Sequence, residues 1–167
     1  MTVRKLIDFP ELLAPNRRLL GLDIGQKTVG LALSDISRTV ATPMKTLILK
    51  KFSKTALELL DICVEHQVAA LIIGLPVNMD GTEGPRCQSV RQFARNLEAH
   101  FDMEMAFWDE RLSTVAVTKA MLEADMSRAK RAENVDKMAA AYILQGALDF
   151  LVNHHSQNNE PRSNSWC

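Results

Sequence analysis

The stretch Leu19-Leu-Gly-Leu-Asp-Ile-Gly-Gln-Lys-Thr-Val-Gly-Leu-Ala-Leu-Ser-Asp35 decides the fold. It sets one carboxylate, Asp23, inside an apolar run and turns at Gly25-Gln26-Lys27. A second apolar run then extends from Thr28 to Leu33. Two Leu-, Ile- and Val-rich runs joined by a tight turn predict strands over 18–24 and 28–34, and a third follows over 43–50. Strands disfavour Asp. A buried carboxylate is costly unless a metal, a cation or several hydrogen bonds compensate its charge. Asp23, between Leu22 and Ile24, is therefore the residue that most needs a functional account.

Outward from this hairpin the pattern alternates. Apolar residues at helical spacing predict a helix over 53–66 with Ser53 as N-cap. Val68 to Leu75 is a continuous apolar run closed by Pro76, as expected of a strand buried on both faces. The loop Pro76–Pro85 is dense in turn formers. A helix over 86–100, a strand over 103–108 and a helix over 113–124 come next. A basic linker over 126–133 is expected to lead to a last helix, from an Asn134 N-cap to about Val152. Residues 1–17 read as a leader with one short apolar turn, and 153–167 as a polar, disordered tail. The order βββαβαβαα predicts a single α/β domain over 18–152, with a mixed five-stranded sheet flanked by helices.

The 167 residues suffice for one domain with a sizeable core. Formal net charge is zero, so nucleic-acid binding would have to rest on local basic clusters. Three distant cysteines, Cys63, Cys87 and Cys167, form neither a disulfide framework nor a zinc ribbon. With no apolar targeting run and no run of spanning length, a reducing cytoplasm is the expected compartment and no membrane partner is expected.

Two further acidic positions join Asp23. Glu110 stands just past the fifth strand, and Asp136 is expected in the first turn of the last helix. Sites in parallel segments collect at the carboxyl ends of strands. Three carboxylates converging there would repel one another, and a hard divalent cation relieves that repulsion. Simpler readings exist for each. Asp136 also suits a helix dipole, Glu110 can pair with Arg111 at the surface, and Asp109 competes with Glu110 for the functional position.

The blocks Leu22–Asp35, Gly74-Leu-Pro-Val-Asn-Met-Asp-Gly-Thr-Glu-Gly84, Trp108-Asp-Glu-Arg-Leu-Ser-Thr114 and Asp136-Lys-Met-Ala-Ala-Ala-Tyr-Ile-Leu-Gln145 together resemble the YqgF family, also called RuvX. The resemblance spans residues 19–150. It implies an RNase H-like fold and a Mg²⁺-dependent nuclease, with Mn²⁺ as the alternative metal. It also implies processing of the 5′ end of pre-16S ribosomal RNA during ribosome biogenesis in the bacterial cytoplasm. Asp23, Glu110 and Asp136 are then the catalytic and metal-binding residues. An older family label, Holliday junction resolvase, keeps branched DNA as an alternative substrate. Two departures stand out. Lys27-Thr28 replaces the family's frequent Lys-Arg, and Ala139 and Ala140 stand where the resolvase RuvC has a second carboxylate.

The cations that could meet phosphate are Lys27, Arg86, Arg91, Arg95, Arg111, Arg128, Lys130 and Arg131. Arg91 and Arg95 share a helix face by spacing, which is also the pattern of a solvated face. Arg128, Lys130 and Arg131 are the denser cluster. Two other function classes compete. An actin-like ATPase shares the Asp-x-Gly hairpin but closes two such domains over its nucleotide. A non-catalytic RNA-binding assembly module would gain nothing from acidic residues beside phosphate. Both a monomer and a homodimer are compatible with the sequence.

Overall fold

The strand that carries Asp23 runs through the middle of a five-stranded sheet. A computed structural model describes residues 3–112 and 128–159. Strands β1 (Arg18–Ile24), β2 (Thr28–Ser34) and β3 (Ala41–Ile48) form an antiparallel meander. Strands β4 (Val68–Leu75) and β5 (Glu104–Asp109) add in parallel on the other side of β1. The order is β3-β2-β1-β4-β5, the mixed sheet expected of an RNase H-like fold. β1 and β4 are buried along nearly their whole length. That is why they read as continuous apolar runs rather than as alternating ones.

Helices α1 (Phe9–Leu12), α2 (Phe52–Glu65), α3 (Pro85–Glu98) and α4 (Arg128–Asn159) divide between the two faces. Side chains alternate along a strand, so Leu20, Leu22 and Ile24 enter one core with Leu59 of α2 and Val90, Phe93 and Leu97 of α3. Leu19 points the other way. There it joins Ala32, Ala70 and Ile72 beneath Ala139, Ala140, Ile143, Leu144, Ala147 and Leu148 of α4. Asp23 shares the parity of Leu19 and so belongs to the α4 side. Among the described residues no helix is long and apolar enough to cross a membrane.

Several boundaries depart from expectation. β3 begins at Ala41, not at residue 43, because Ala41 and Thr42 already pair with Ser34 and Leu33. Pro43 fits inside it because β3 is an edge strand, where a missing N–H is tolerated. α2 starts at Phe52 with no side-chain cap, so Ser53 is not the N-cap. Thr55 Oγ1 instead accepts the Lys50 N–H at 3.3 Å. The leader is built into the fold: Val3 bridges to Met105, and Leu6 and Phe9 are buried in the α4-side core.

The largest correction concerns the last helix. The backbone is helical from Arg128, so Arg128, Lys130 and Arg131 belong to α4 rather than to a linker, and Asn134 is no N-cap. Arg-Ala-Lys-Arg-Ala-Glu are good helix formers, and that propensity prevails over the capping preference of Asn134. α4 also continues past Val152 to Asn159. The helix expected over 113–124 lies outside the described residues.

Candidate active site

Asp23 sits near the carboxyl end of β1 and is only 5% exposed. Its antiparallel partner on β2 is Gly30. Over Gly30 passes the backbone of α4. A Cβ placed on Gly30 would stand 2.8 Å from Lys137 N, and closer still to the carbonyl carbon and oxygen of Asp136. The glycine is what lets α4 bring Asp136 down beside Asp23. The Asp136 carboxylate is not left to solvent, because Thr28 Oγ1 donates to its Oδ2. Asp136 lies roughly two turns inside α4, so a first-turn dipole partner is no longer an account of it.

Glu110 approaches from the opposite flank. β4 runs parallel to β1 with Leu22 opposite Ile73, so Gly74 lies one step further along, beside Asp23. A Cβ on Gly74 would be 2.8 Å from Glu110 Oε1. Asp23 is thus bracketed by two glycines, with Asp136 over one and Glu110 over the other. The geometry also separates Glu110 from Asp109. Asp109 accepts the Arg111 backbone N–H at 2.9 Å and the Arg111 guanidinium at 2.6 and 3.1 Å. The Arg111 bonds hold the Asp109 carboxyl below its ordinary pKa and raise that of Arg111 in return. Asp109 is occupied with its neighbour while Glu110 faces the sheet end. Among the described residues no three His, Cys, Asp or Glu side chains stand close enough together to hold a metal ion between them.

The expected cations divide. Lys27 is exposed in the β1–β2 turn. Arg86 donates from Nη2 to the Ile24 carbonyl at 3.4 Å. Arg91 and Arg95 take different partners. Arg91 pairs with Glu83 at 2.5 Å and lies over the Phe107 ring, 5.0 Å from its centroid, whereas Arg95 donates to Gln92 at 3.0 Å. Arg111 gives Nε and Nη2 to Asp109. The side chains of Arg128, Lys130 and Arg131 lie outside the described residues.

The loop after β4 is tied internally. Asn78 N donates to the Thr82 carbonyl at 2.9 Å, and Gly81 N to the Asn78 carbonyl at 2.9 Å. Thr82 Oγ1 donates to Asp80 at 2.6 Å, and a Cβ on Gly81 would stand 3.5 Å from Arg111 Nη1.

Four contributors escaped the sequence reading. Gly30 and Gly74 carried a legible sign, because glycine inside a strand marks a close backbone approach. Thr28, counted there only as a lost cation, is the hydroxyl that holds Asp136. Gln145 left no such sign. It accepts the Ala41 N–H at 2.9 Å and donates to the Thr39 carbonyl at 3.0 Å, stapling α4 to the start of β3.

A family model described as "RuvX: Holliday junction resolvase" matches residues 17–150. The chain belongs to the RuvX family. Its RuvX relatives include a protein of Paramagnetospirillum magneticum, 63% identical over 137 residues, covering 82% of this chain and 88% of the relative. Another, from Methylocella silvestris, is 53% identical over 149 residues and covers 89% and 92%. Both carry the name "Putative pre-16S rRNA nuclease". Among solved structures, Thermus thermophilus RuvC in complex with a Holliday junction substrate superposes with a TM-score of 0.52. It is 13% identical and covers 81% of this chain and 96% of that one. The yeast mitochondrial Holliday junction resolvase Ydc2 gives a TM-score of 0.53 at 14% identity, covering 92% and 86%. At such identities the likeness establishes a shared fold for the RuvX chain.

Proposed function

We propose that this RuvX-family chain is a divalent-metal-dependent nuclease that hydrolyses phosphodiester bonds at the 5′ end of precursor 16S ribosomal RNA. The observation that carries the reading is the bracketing of buried Asp23 by Gly30 and Gly74, with Asp136 and Glu110 set over them. Pure binding would not benefit from acidic groups beside a phosphate backbone. The names of the close relatives support the RNA substrate.

The donor set is all oxygen, which suits Mg²⁺ or Mn²⁺, and the two glycines admit the Asp136 backbone on one flank of Asp23 and the Glu110 and Ile143 side chains on the other. Asp23, Glu110 and Asp136 would hold the metal. When bound, such ions activate a water and stabilise the leaving oxygen of an in-line displacement. The protein's part is to hold its ligands still. β1 fixes Asp23 in a buried strand, Thr28 anchors Asp136, and the Asp109–Arg111 pair fixes the turn in which Glu110 sits. Arg86 and Lys27, at the same end of β1, would receive phosphates on either side of the scissile one.

Junction DNA is the weaker reading. Ala139 and Ala140 are 1% and 0% exposed against the sheet, so α4 offers no room for a further carboxylate there. The test is cleavage of labelled precursor ribosomal RNA and of a four-way DNA junction, each with Mg²⁺, Mn²⁺ or EDTA. Metal-dependent RNA cutting, lost in a folded Asp23→Asn variant, is the expected result. Equal cutting by that variant would remove Asp23 from the site. Retained RNA binding without cutting in any metal would turn the assignment to an assembly module.

A further inference from the structure

We propose that the cleft between the β1–β2 turn and α3 receives one unpaired nucleobase next to the scissile phosphate. The proposal rests on the nuclease reading and adds to it a substrate feature, a nucleotide flipped out of the helix or lying in a single strand. The cleft has a volume of about 390 Å³. That is near the lower end of the range for small-ligand sites, roughly 300–1,000 Å³, and suits a single base.

Its lining is of two kinds. Ile24, Leu49 and Phe93 supply an apolar floor, and Gln26, Arg86 and Ser89 stand around it. A base has an apolar face and hydrogen-bonding edges, and proteins that read single strands meet both at once. The Gln26 amide offers donors and an acceptor, and Ser89 a hydroxyl of either sense. Arg86 uses one guanidinium N–H on the Ile24 carbonyl at 3.4 Å and has several more to offer a phosphate.

Position links the cleft to the chemistry. Ile24 directly follows Asp23, with Cα atoms about 3.8 Å apart, and the two side chains point to opposite faces of the sheet. A chain whose phosphate lies at Asp23 can therefore wrap the Gly25 end of β1 and set its next base on the α3 side. A base still stacked in a duplex exposes only its edges and cannot present a face to this floor.

The experiment measures binding of a fluorescent RNA hairpin with a single-stranded 5′ extension, in the Asp23→Asn background so that the probe survives. Each extension nucleotide is replaced in turn by an abasic ribose. One position is expected to weaken binding by about fivefold or more, the loss of one base stacking contact. Ser89→Trp, at an exposed helix position, should fill the cleft, impose a similar loss on the intact probe, and add nothing to that abasic probe. Gln88→Trp, exposed on the same helix and not part of this cleft, should leave binding unchanged.

The proposal falls if no abasic position matters, or if the Ser89→Trp and abasic losses simply add, while wild type still cuts the precursor. The nuclease reading then stands alone. If wild type neither binds nor cuts RNA, both fall together. Displacement of the hairpin by micromolar nucleoside monophosphate, sensitive to Ser89→Trp, would reassign the cleft to a free nucleotide and overturn the proposal.

Discussion

Replacing Gly30 by Ala tests the geometry of the site with a single methyl group. The new Cβ would lie 2.8 Å from Lys137 N and nearer to the Asp136 carbonyl, whereas real Cβ atoms essentially never come within 3.0 Å of such neighbours. The obstruction is backbone and cannot rotate away, so α4 must retreat from β2 at Asp136. Overpacking of this kind costs about 1–3 kcal/mol, which in a chain of this size lowers Tm by roughly 2–12 °C. α4 remains anchored further along by Ile143, Leu144, Ala147 and Leu148, so the fold should survive. The site should suffer more, because a misplacement on the order of 1 Å can cost about a hundredfold in rate. The assay pairs thermal unfolding with initial rates on precursor RNA, using Gly84→Ala as control. There the nearest neighbour of the added Cβ is an Asn78 side-chain nitrogen at 3.4 Å. An unchanged Tm with full cleavage would refute the close approach of α4 to β2. A lowered Tm with full cleavage would refute the need for Asp136 at that spot.

Thr28→Val removes the hydroxyl that donates to Asp136 at nearly constant volume. Stability should drop by about 1.5–3 kcal/mol, the usual worth of a hydrogen bond to a charged group, and cleavage should fall, while Thr28→Ser keeps both; urea unfolding and initial rates check this. Asp35 accepts hydrogen bonds from the Ser37 hydroxyl, the Thr39 and Val40 N–H groups and the Thr39 hydroxyl, with Ser37 the largest cause of its depressed pKa. A carboxylate depressed in the fold stabilises it above its unfolded pKa of about 3.9 and loses that contribution as pH falls. Asp35→Ala should therefore lower stability at neutral pH, and the gap from wild type should narrow below about pH 4, as read by urea melts across pH.

The site was partly legible before folding because the chemistry it needs conflicts with local preference. Asp23 stands out since a strand interior ordinarily rejects a carboxylate, and its apolar neighbours declare the burial. Glu110 and Asp136 are unremarkable in isolation; they were read from their expected places past the fifth strand and at the start of the last helix, and the family blocks name the same residues. The choice between Asp109 and Glu110 was beyond the sequence, because it turns on which carboxylate Arg111 takes. In the fold Asp109 receives the guanidinium and Glu110 is turned toward Gly74. The partners of Arg91 were beyond the sequence for the same reason. Helical spacing places it near Arg95, but Glu83 and Phe107 on neighbouring elements draw it away.

By itself the sequence determined the strands, the sheet class and the buried carboxylate, because those follow from the period of apolar residues and from one residue out of place. Tertiary structure alone decided what stands around Asp23. The approach of α4 to Gly30, the seat of Glu110 over Gly74 and the hold of Thr28 on Asp136 join residues far apart in the chain. No local propensity encodes such contacts. They arise when an Ala-rich helix is laid flat across strands whose glycines leave it room.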